Sequence, residues 1–359
     1  MKGKARNGVL VCFGETEHKN IGDYIQSVAA AQFAGPDAAL VERETMNTYA
    51  GDPVRVVMNA WFMHHPDRFP PSPDIIPLFV SFHVRPRIED EFFTERATAY
   101  LKRHEPIGCR STEMVEMLAR HGVKGEFTSC MTLTLGETFH HVDADVPPVF
   151  VDPFFRRISR RRKWSIVGRF LLRIPHVLRH PIAVARLAPK FRVFFGRNRP
   201  GLFLVQVLWA AEFHRSYAAL FGDDVLLGAT YVSHKVLKSG CADERSMFER
   251  AEALLRLYEK APFVVTSRLH CTLPCLAMGT PVWTVVRPSM KTGRFGGNEA
   301  FMNMLEFGED GRVHSSVPPP ARDGRFHLAD RPPVRKEHLS YAAALAARCR
   351  TFFAGDDRQ

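Results

Sequence analysis

The sequence lacks a long hydrophobic run. No stretch of about 18 or more consecutive apolar residues occurs, which excludes an ordinary membrane-spanning helix. The opening MKGKARNGVLVCFG has too short an apolar run and no cleavage-like site for a signal peptide. With 45% hydrophobic residues among 359, the composition is that of a folded protein, and we expect it in the cytoplasm.

Cysteine is also sparse. The seven cysteines are odd in number, scattered along the chain and mostly flanked by apolar residues, which favours reduced core thiols over a disulfide framework. Cys271 and Cys275 are spaced to share one helix face, and we interpret them as core residues rather than zinc ligands. No metal site is predicted.

Acidic residues are missing from one long segment. None occurs between Asp152 and Glu212, whereas residues 156–199 contain 14 Lys or Arg. Removing these 14 charges from the net charge of +11 leaves −3 for the remainder. The basic character is therefore confined to one segment, and a uniformly basic nucleic-acid-binding protein is not indicated.

Short apolar runs alternate with amphipathic helical patterns along most of the chain, which is typical of parallel βαβ units. The strands are predicted at 8–14, 54–62, 77–84, 106–110, 126–135, 147–155, 224–233, 262–266 and 281–286. The clearest helices are predicted at 89–103, 111–122, 243–261 and 334–353, whereas the run beginning at 201 is ambiguous between strand and helix. No internal repeat is evident. We predict an α/β fold of two Rossmann-like doubly wound domains facing a cleft.

The predicted boundaries follow from this alternation. Residues 1–148 form the first domain and residues 149–333 the second, which carries the basic segment 156–199 as an insert. Residues 334–359 form a C-terminal helix and tail. Because ligands of open α/β sheets bind beyond the carboxyl ends of the strands, the loops at 14–23 and 266–271 are the first places to look for a site.

The second of these loops reads Ser267-Arg268-Leu269-His270. A guanidinium at a helix N-terminus can bind a carboxylate or phosphate, and a neighbouring imidazole can transfer a proton near neutral pH. Arg268 and His270 therefore form a candidate anion and acid/base site. The structural alternative, equally compatible with the spacing, is that Arg268 pairs with a core carboxylate and His270 caps the helix.

The first loop reads KNIGDYIQS. Asp23 is predicted as the N-cap of the following helix, and Gln26 completes a pattern like a capping box. Capping leaves Asn20 and Gly22 unexplained, so these two residues point to a ligand or to special turn geometry.

Four segments in order resemble the polysaccharide pyruvyl transferase family: NIGDYIQSVA, PIGCRS, CMTLTL and VVTSRLHCTLPCLAMGTPV. The resemblance extends over about residues 8–300. One departure is that Ser111 follows Arg110 where the family often has Asp. The resemblance implies a GT-B-like pair of domains that transfers a pyruvyl group from phosphoenolpyruvate to a sugar as a ketal, in cell-surface polysaccharide biosynthesis. It implies no cofactor.

The resemblance also implies roles for residues. Arg268 would bind the donor anion and His270 would be the acid/base, with Ser267 and Leu269 in the same turn. Lys291 and Arg294, in the loop MKTGRFGG, are further donor-site candidates, and Arg156 and Arg157 are weaker ones.

The remaining candidates have structural alternatives. Arg110 is a donor-site candidate whose alternative is a salt bridge at a strand end. On the acceptor side, Asn20, Gly22, Asp23 and Gln26 line the loop. Trp61 and Phe62 are placed to stack on a sugar ring and Asn59 to bind a hydroxyl, although an aromatic pair ending a strand is more often core. His83 is interpreted as a core histidine.

The basic insert mixes arginines with aromatic residues, a pattern that favours peripheral attachment to an anionic membrane and hence a lipid-linked acceptor. Pro175, Pro181 and Pro189 are expected to break it into short pieces. The alternatives are a solvated basic loop and, less favoured, RNA binding. Two other functions also fit the architecture: a nucleotide-sugar glycosyltransferase and a non-catalytic sugar-binding module at the membrane.

Overall fold

A computed structural model describes residues 5–13, 18–155, 163–195, 202–237, 243–287, 295–320 and 323–355. The first half contains the strands β1 Arg6–Val11, β2 His18–Asn20, β3 Ala39–Glu42, β4 Val54–Val57, β5 Trp61–Phe62, β6 Ile75–Leu78, β7 His83–Val84, β8 Ile107–Cys109 and β9 Gly125–Phe127. Its helices are α1 Ile21–Ala34, α2 Glu89–Phe92, α3 Glu95–Lys102 and α4 Thr112–Arg120. Short 3₁₀ helices lie at Arg43–Thr48, Pro66–Arg68, Pro86–Ile88 and Met131–Glu137.

The second half contains the strands β10 Val149–Val151, β11 Thr230–Val232, β12 Lys235–Leu237, β13 Val264–Thr266, β14 Val282–Val286, β15 Asn303–Phe307 and β16 Val313–Ser315. Its helices are α5 Lys163–Arg179, α6 Pro181–Lys190, α7 Leu202–Tyr217, α8 Asp223–Gly228, α9 Glu244–Lys260, α10 Leu269–Met278 and α11 Leu339–Ala354. No helix in the described ranges is both long enough and apolar enough to cross a membrane.

Two parallel sheets organise these elements. The first has the strand order β3-β1-β4-β6, and the second has the order β11-β10-β13-β14-β15-β16, with only its last pair antiparallel. Every residue of β14 is buried, as expected when helices cover both faces of a parallel sheet. The predicted α/β class with parallel sheets is confirmed, and the two-domain GT-B-like arrangement stays a prediction.

The two halves share a hydrophobic core. One cluster contains Val9 and Ile25 from the first half together with Val149, Leu255 and Leu273 from the second. The antiparallel pair of β2 with β12 also joins the halves. The predicted domain boundaries stay predictions, but buried contacts extend across the boundary placed between 148 and 149.

Two of the predicted strands are partly helical. Residues 126–135 form a strand only at their start, because a positive φ of 63° at Ser129 turns the chain into the 3₁₀ helix that follows. Residues 224–233 begin as α8 and become a strand only at β11. Asp223 and Asp224 lie in the first turn of α8, where carboxylates stabilise a helix N-terminus.

The basic insert breaks at one of the three predicted prolines. The chain leaves helical geometry at His180, directly before Pro181, as expected for a residue preceding proline. By contrast, α5 continues through Pro175, and Pro189 lies inside α6. Packing of α5 against α7 explains the first exception, because tertiary contacts can outweigh the lost backbone hydrogen bond.

Candidate active site

The two loops singled out from the sequence meet in the structure. Asn20 is the N-cap of α1, and its side-chain oxygen accepts a hydrogen bond from the Gly22 N–H at 3.3 Å. A Cβ atom on Gly22 would lie 3.2 Å from Nδ1 of His270, in the other loop. The absence of a side chain at Gly22 therefore permits the close approach of α1 to the His270 ring.

The predicted cap of α1 is wrong, and so is the capping-box pattern. The strand β2 ends in an extended Asn20, which leaves Asn20 at the cap position and puts Asp23 in the first turn. Asn20 Nδ2 donates to Asp23 Oδ1 at 3.4 Å. Gln26 lies within α1, is 2% exposed, and neither atom of its amide has a hydrogen-bond partner among the described residues. Gln26 is thus a buried polar group available to a ligand.

Arg268 pairs with a core carboxylate, which was one of its two predicted alternatives. Its Nε donates to Oδ2 of Asp152 at 2.7 Å, and the Asp152 side chain is 3% exposed. Asp152 Oδ1 also accepts from the Ser233 hydroxyl at 2.8 Å, and Oδ2 from the His234 N–H at 3.1 Å. Burial alone would raise the pKa of Asp152, but Arg268 and these hydrogen bonds lower it below the usual value. Asp152 is therefore an ionised anchor for Arg268.

The other half of that structural alternative is wrong, because His270 does not cap α10. Arg268 occupies the N-cap position, and His270 is the second residue of the helix, with a non-helical ψ of 22°. The Arg268 side chain keeps 22% exposure, and its hydrogen bond to Asp152 is made through Nε. Arg268 and His270 are both partly exposed.

Their two neighbours in the turn are structural. Leu269 is 2% exposed and belongs to the shared core. The Ser267 hydroxyl donates to the backbone oxygen of Asp152 at 2.7 Å. Ser267 and Leu269 therefore fix the turn that presents Arg268 and His270.

Arg110 is a buried cation that forms no salt bridge with an acid among the described residues. It directly follows β8, is 7% exposed, and its Nε has no hydrogen-bond partner among the described residues. Among the described residues, Arg110 does not form the salt bridge that was predicted for it at the strand end. Burial lowers the pKa of Arg110 and the Asp23 carboxylate partly opposes this, yet a guanidinium stays protonated at neutral pH. An anion is the ligand that such a group favours.

The residues around Arg110 link the two halves. Ser111, which stands where the resembling family often has Asp, is the N-cap of α4 and accepts from the Met114 N–H at 3.3 Å. Asn298 Nδ2 donates to the Arg110 backbone oxygen at 3.0 Å. The segment at Asn298 is therefore fixed against the strand end that carries Arg110.

Four donor-site candidates cannot be placed. Lys291 and Arg294, and the weaker pair Arg156 and Arg157, lie outside the described residues. The chain resumes at Phe295, and the Gly296 backbone oxygen accepts from the Thr112 N–H at 3.2 Å. Gly296, one of the first described residues after these candidates, therefore lies beside the start of α4, which closely follows Arg110.

The acceptor-side candidates are largely enclosed. Two guanidinium groups lie over the ring of Trp61, that of Arg85 at 3.9 Å and that of Arg43 at 4.6 Å from the ring centre. Trp61 is 7% exposed, so in this arrangement its ring is occupied by arginines rather than open to a sugar. Phe62 is fully buried in the core.

Asn59 and His83 are buried beside the acceptor-side candidates. Asn59 is 1% exposed and its Nδ2 donates to the Gln26 backbone oxygen at 3.0 Å, so it connects the first sheet to α1. His83 on β7 is 8% exposed and pairs in register with Trp61.

Sequence reasoning missed Arg43, Arg85 and Asp152. Arg43 is 1% exposed, donates from Nε to Glu44 Oε1 at 2.8 Å, and from Nη2 to the Cys12 sulfur at 2.8 Å. All three missed residues directly follow strands β3, β7 and β10. Their position at the carboxyl ends of parallel strands was the signal that could have identified them.

The arrangement combines cations with one partly exposed imidazole. Burial lowers the pKa of Arg85 and of Arg110, and the negative charge of Asp23 acts on both in the opposite direction. The three charges therefore lie in one region. Positive charges stabilise a bound anion, and an imidazole gives or takes a proton. Binding of an anionic substrate with proton transfer is the chemistry that these residues support.

A comparison with protein-family models matches residues 73–288 to the family described as polysaccharide pyruvyl transferase. The match covers more than half of the chain and includes Arg110, Asp152, Arg268 and His270. No curated protein matches the chain.

Proposed function

Because the chain belongs to the polysaccharide pyruvyl transferase family, we propose that it transfers a pyruvyl group from phosphoenolpyruvate to two hydroxyls of a sugar, forming a cyclic ketal. The observation that carries this proposal is the buried guanidinium of Arg110, whose Nε has no hydrogen-bond partner among the described residues. It supports an anionic donor such as phosphoenolpyruvate, which carries a phosphate and a carboxylate.

The reaction balances without a redox partner. A proton adds to the methylene carbon of the donor, and a first sugar hydroxyl attacks the neighbouring carbon and releases its own proton. The carbon–oxygen bond to phosphate then breaks, and a second hydroxyl attacks the same carbon and releases a second proton. The products are the ketal and inorganic phosphate, so the enzyme needs an acid, a base and cations for the donor.

In this proposal His270 carries the proton transfers. Its ring is partly exposed and lies against the Gly22 backbone. Arg268, anchored by Asp152, binds one anionic group of the donor, and Arg110 the other. Lys291 and Arg294, which lie outside the described residues, stay further donor-site candidates from the sequence.

Acceptor binding is assigned to the first loop. The unsatisfied amide of Gln26 and the Asp23 carboxylate offer acceptors and donors to sugar hydroxyls, and Asn20 and Gly22 hold the loop close to His270. Trp61 contributes by holding Arg43 and Arg85 rather than by stacking on the sugar.

Thermal unfolding in the presence of candidate ligands tests the identity of the donor. Phosphoenolpyruvate should raise the melting temperature of the wild-type protein, whereas nucleotide sugars should not. The opposite result would favour the nucleotide-sugar glycosyltransferase alternative. Phosphate release should then be measured with phosphoenolpyruvate and a panel of galactosides, mannosides and N-acetylhexosaminides, followed by detection of the ketal methyl group.

Replacement of His270 tests the catalytic assignment. His270→Ala should lose phosphate release and keep its far-UV circular dichroism, whereas His314→Ala should keep both, because His314 is an exposed residue that pairs with Asp310. Normal turnover in folded His270→Ala would refute the role of His270.

We also propose that the basic insert holds the enzyme on an anionic membrane, where a lipid-linked acceptor would be found. Leu171 and Leu178 are 59% and 74% exposed and lie seven residues apart on one face of α5. Ile182 on α6 and Phe203 on α7 are each 71% exposed. Exposed apolar groups beside many cations fit an anionic lipid surface.

Vesicle flotation tests this attachment. The protein should float with vesicles that contain phosphatidylserine and not with phosphatidylcholine alone. Leu171→Ser with Leu178→Ser should reduce flotation, whereas Leu40→Ser, a control at another exposed leucine, should not. Unchanged flotation of the double variant would count against the membrane role of this surface.

A further inference from the structure

Three histidines converge at the inner side of the basic insert. His176 lies in the last turn of α5, His180 follows four residues later at the start of α6, and His214 lies on α7. One ring nitrogen of each histidine lies within 4.8 Å of the corresponding atoms of the other two. The closest pair is His176 Nε2 and His214 Nδ1, at 3.0 Å.

The hydrogen bonds define which nitrogen of His214 is available. Its Nε2 lies 3.2 Å from the Asp223 carboxylate, which can only accept a hydrogen bond, so the proton is assigned to Nε2. Nδ1 therefore presents its lone pair to His176 and His180. A carboxylate bound to the outer nitrogen of a metal-ligating histidine is the usual second shell of a protein zinc site.

The charged side chains that bond beside the cluster are two guanidinium groups and two carboxylates. Arg173 and Arg215 both pair with the buried Glu212, and Asp223 adds a second carboxylate on the outer side of His214.

The distances suit a metal ion as well. Tetrahedral zinc binds histidine nitrogens at about 2.0–2.1 Å, which separates two ligand atoms by roughly 3.3 Å. The 3.0 Å contact between His176 and His214 needs a small widening, and the pairs with His180, which lie within 4.8 Å, need to close by no more than about 1.5 Å. His214 is 1% exposed and fixed, whereas His176 and His180 are partly exposed, so an ion can reach the cluster from solvent.

We propose that His176, His180 and His214 bind one Zn²⁺ ion, with Asp223 holding His214 in position and a water molecule as the fourth ligand. The bound ion connects α5 and the start of α6 to α7, and so fastens the inner side of the basic insert to the α/β core. The site shares no residue with the candidate active site. It differs from the sequence-based expectation of no metal site, which rested on the spacing of Cys and His residues along the chain and stays a prediction.

Zinc titration tests the proposal on the full chain. After treatment with a chelator and its removal, Zn²⁺ should bind at one ion per chain in competition with a chromophoric chelator. His180→Asn and His214→Asn should each weaken binding at least 100-fold. Asp223→Asn should weaken it about 10- to 100-fold and keep the stoichiometry, as second-shell changes do.

Controls separate this site from others. His314→Asn, at an exposed histidine on β16, should bind zinc as the wild type does. His180 is only partly exposed and lies between two helices, so His180→Asn remains informative if His214→Asn fails to fold. Zinc should raise the melting temperature of the wild type and not that of His180→Asn.

Two outcomes would overturn the proposal. The first is no binding at one ion per chain. The second is binding that His176→Asn and His180→Asn leave intact, above all if it is lost in His64→Asn, which changes the separate group of Cys12, Glu44 and His64.

Discussion

We expect the buried charge of Arg110 to lower the free energy of unfolding of the protein. Its guanidinium is buried, carries a charge, and its Nε has no partner among the described residues. A buried donor without a partner costs about 1–3 kcal/mol, and Met can fill much of the same volume without a polar group. Arg110→Met should therefore raise the free energy of unfolding by about 1–2 kcal/mol, although most core substitutions lower it.

Arg43 provides a matched control, because its replacement should lower the free energy of unfolding rather than raise it. It is also buried, at 1% exposure against 7% for Arg110, but its Nε donates a hydrogen bond to Glu44. Arg43→Met would leave the Glu44 carboxylate, whose side chain is 7% exposed, without its cation. Breaking a buried ion pair from one side costs about 3–5 kcal/mol, and since backbone N–H groups still bind Glu44, we expect a loss near 3 kcal/mol.

Urea denaturation followed by circular dichroism measures both effects. The unfolding midpoint should rise for Arg110→Met and fall for Arg43→Met, with similar slopes. Stabilisation by phosphoenolpyruvate should disappear in Arg110→Met, which gives a more stable and inactive protein. A fall in the midpoint of Arg110→Met comparable to that of Arg43→Met would refute the reasoning, because it would show that Arg110 has a structural partner.

Three further substitutions test contacts of the site. Gly22→Ala should lower turnover and change stability by less than about 1 kcal/mol, since its Cβ would press on the His270 ring; kinetics with unchanged kcat would contradict this contact. Asp152→Asn should make the free energy of unfolding fall less steeply at acid pH. The lowered pKa of Asp152 in the folded protein gives stability that is present above its unfolded pKa of about 3.9 and is lost as pH falls through the folded value. Urea midpoints that fall as steeply with pH in the variant as in the wild type would contradict this role of Asp152. Gly136→Ala should cost about 1–3 kcal/mol, because a Cβ there would lie 2.2 Å from the Ala277 backbone oxygen, and an unchanged midpoint would argue against that packing.

The sequence predicted those elements whose pattern has a single physical meaning. The helix predicted at 243–261 is observed as α9, with Asp243 as its cap, because a strong amphipathic period and a good N-cap agree. The strand predicted at 281–286 is β14, where an all-apolar run fits a sheet covered on both faces.

Patterns that fit two structures were misassigned. The alternation Met131 to Leu135 resembles a half-buried strand, yet Thr132 and Thr134 are as buried as their apolar neighbours. Alternation of residue types then carries no information about which face is exposed. Only the turn at Ser129 and the packing of the second half decide the conformation, and neither is local.

The candidate site was predicted in part. Arg268, His270, Asn20 and Gly22 were identified because they lie in loops at strand ends, and the structure brings those loops together. Asp152 was missed because it is more than 100 residues from Arg268, and no sequence spacing reports a pair that distant. The same limit applies to His214 in the histidine cluster.

The core shared by the two halves has a consequence for folding cooperativity. The buried face of α1 packs against α9 and α10, so residues 1–148 cannot melt without exposing the apolar surface of the second half. Thermal unfolding should therefore be a single transition in which calorimetric and van't Hoff enthalpies agree. A fragment ending at residue 148 would leave Ile25 and its neighbours open to water, which makes aggregation of the separate half the expected outcome of limited proteolysis.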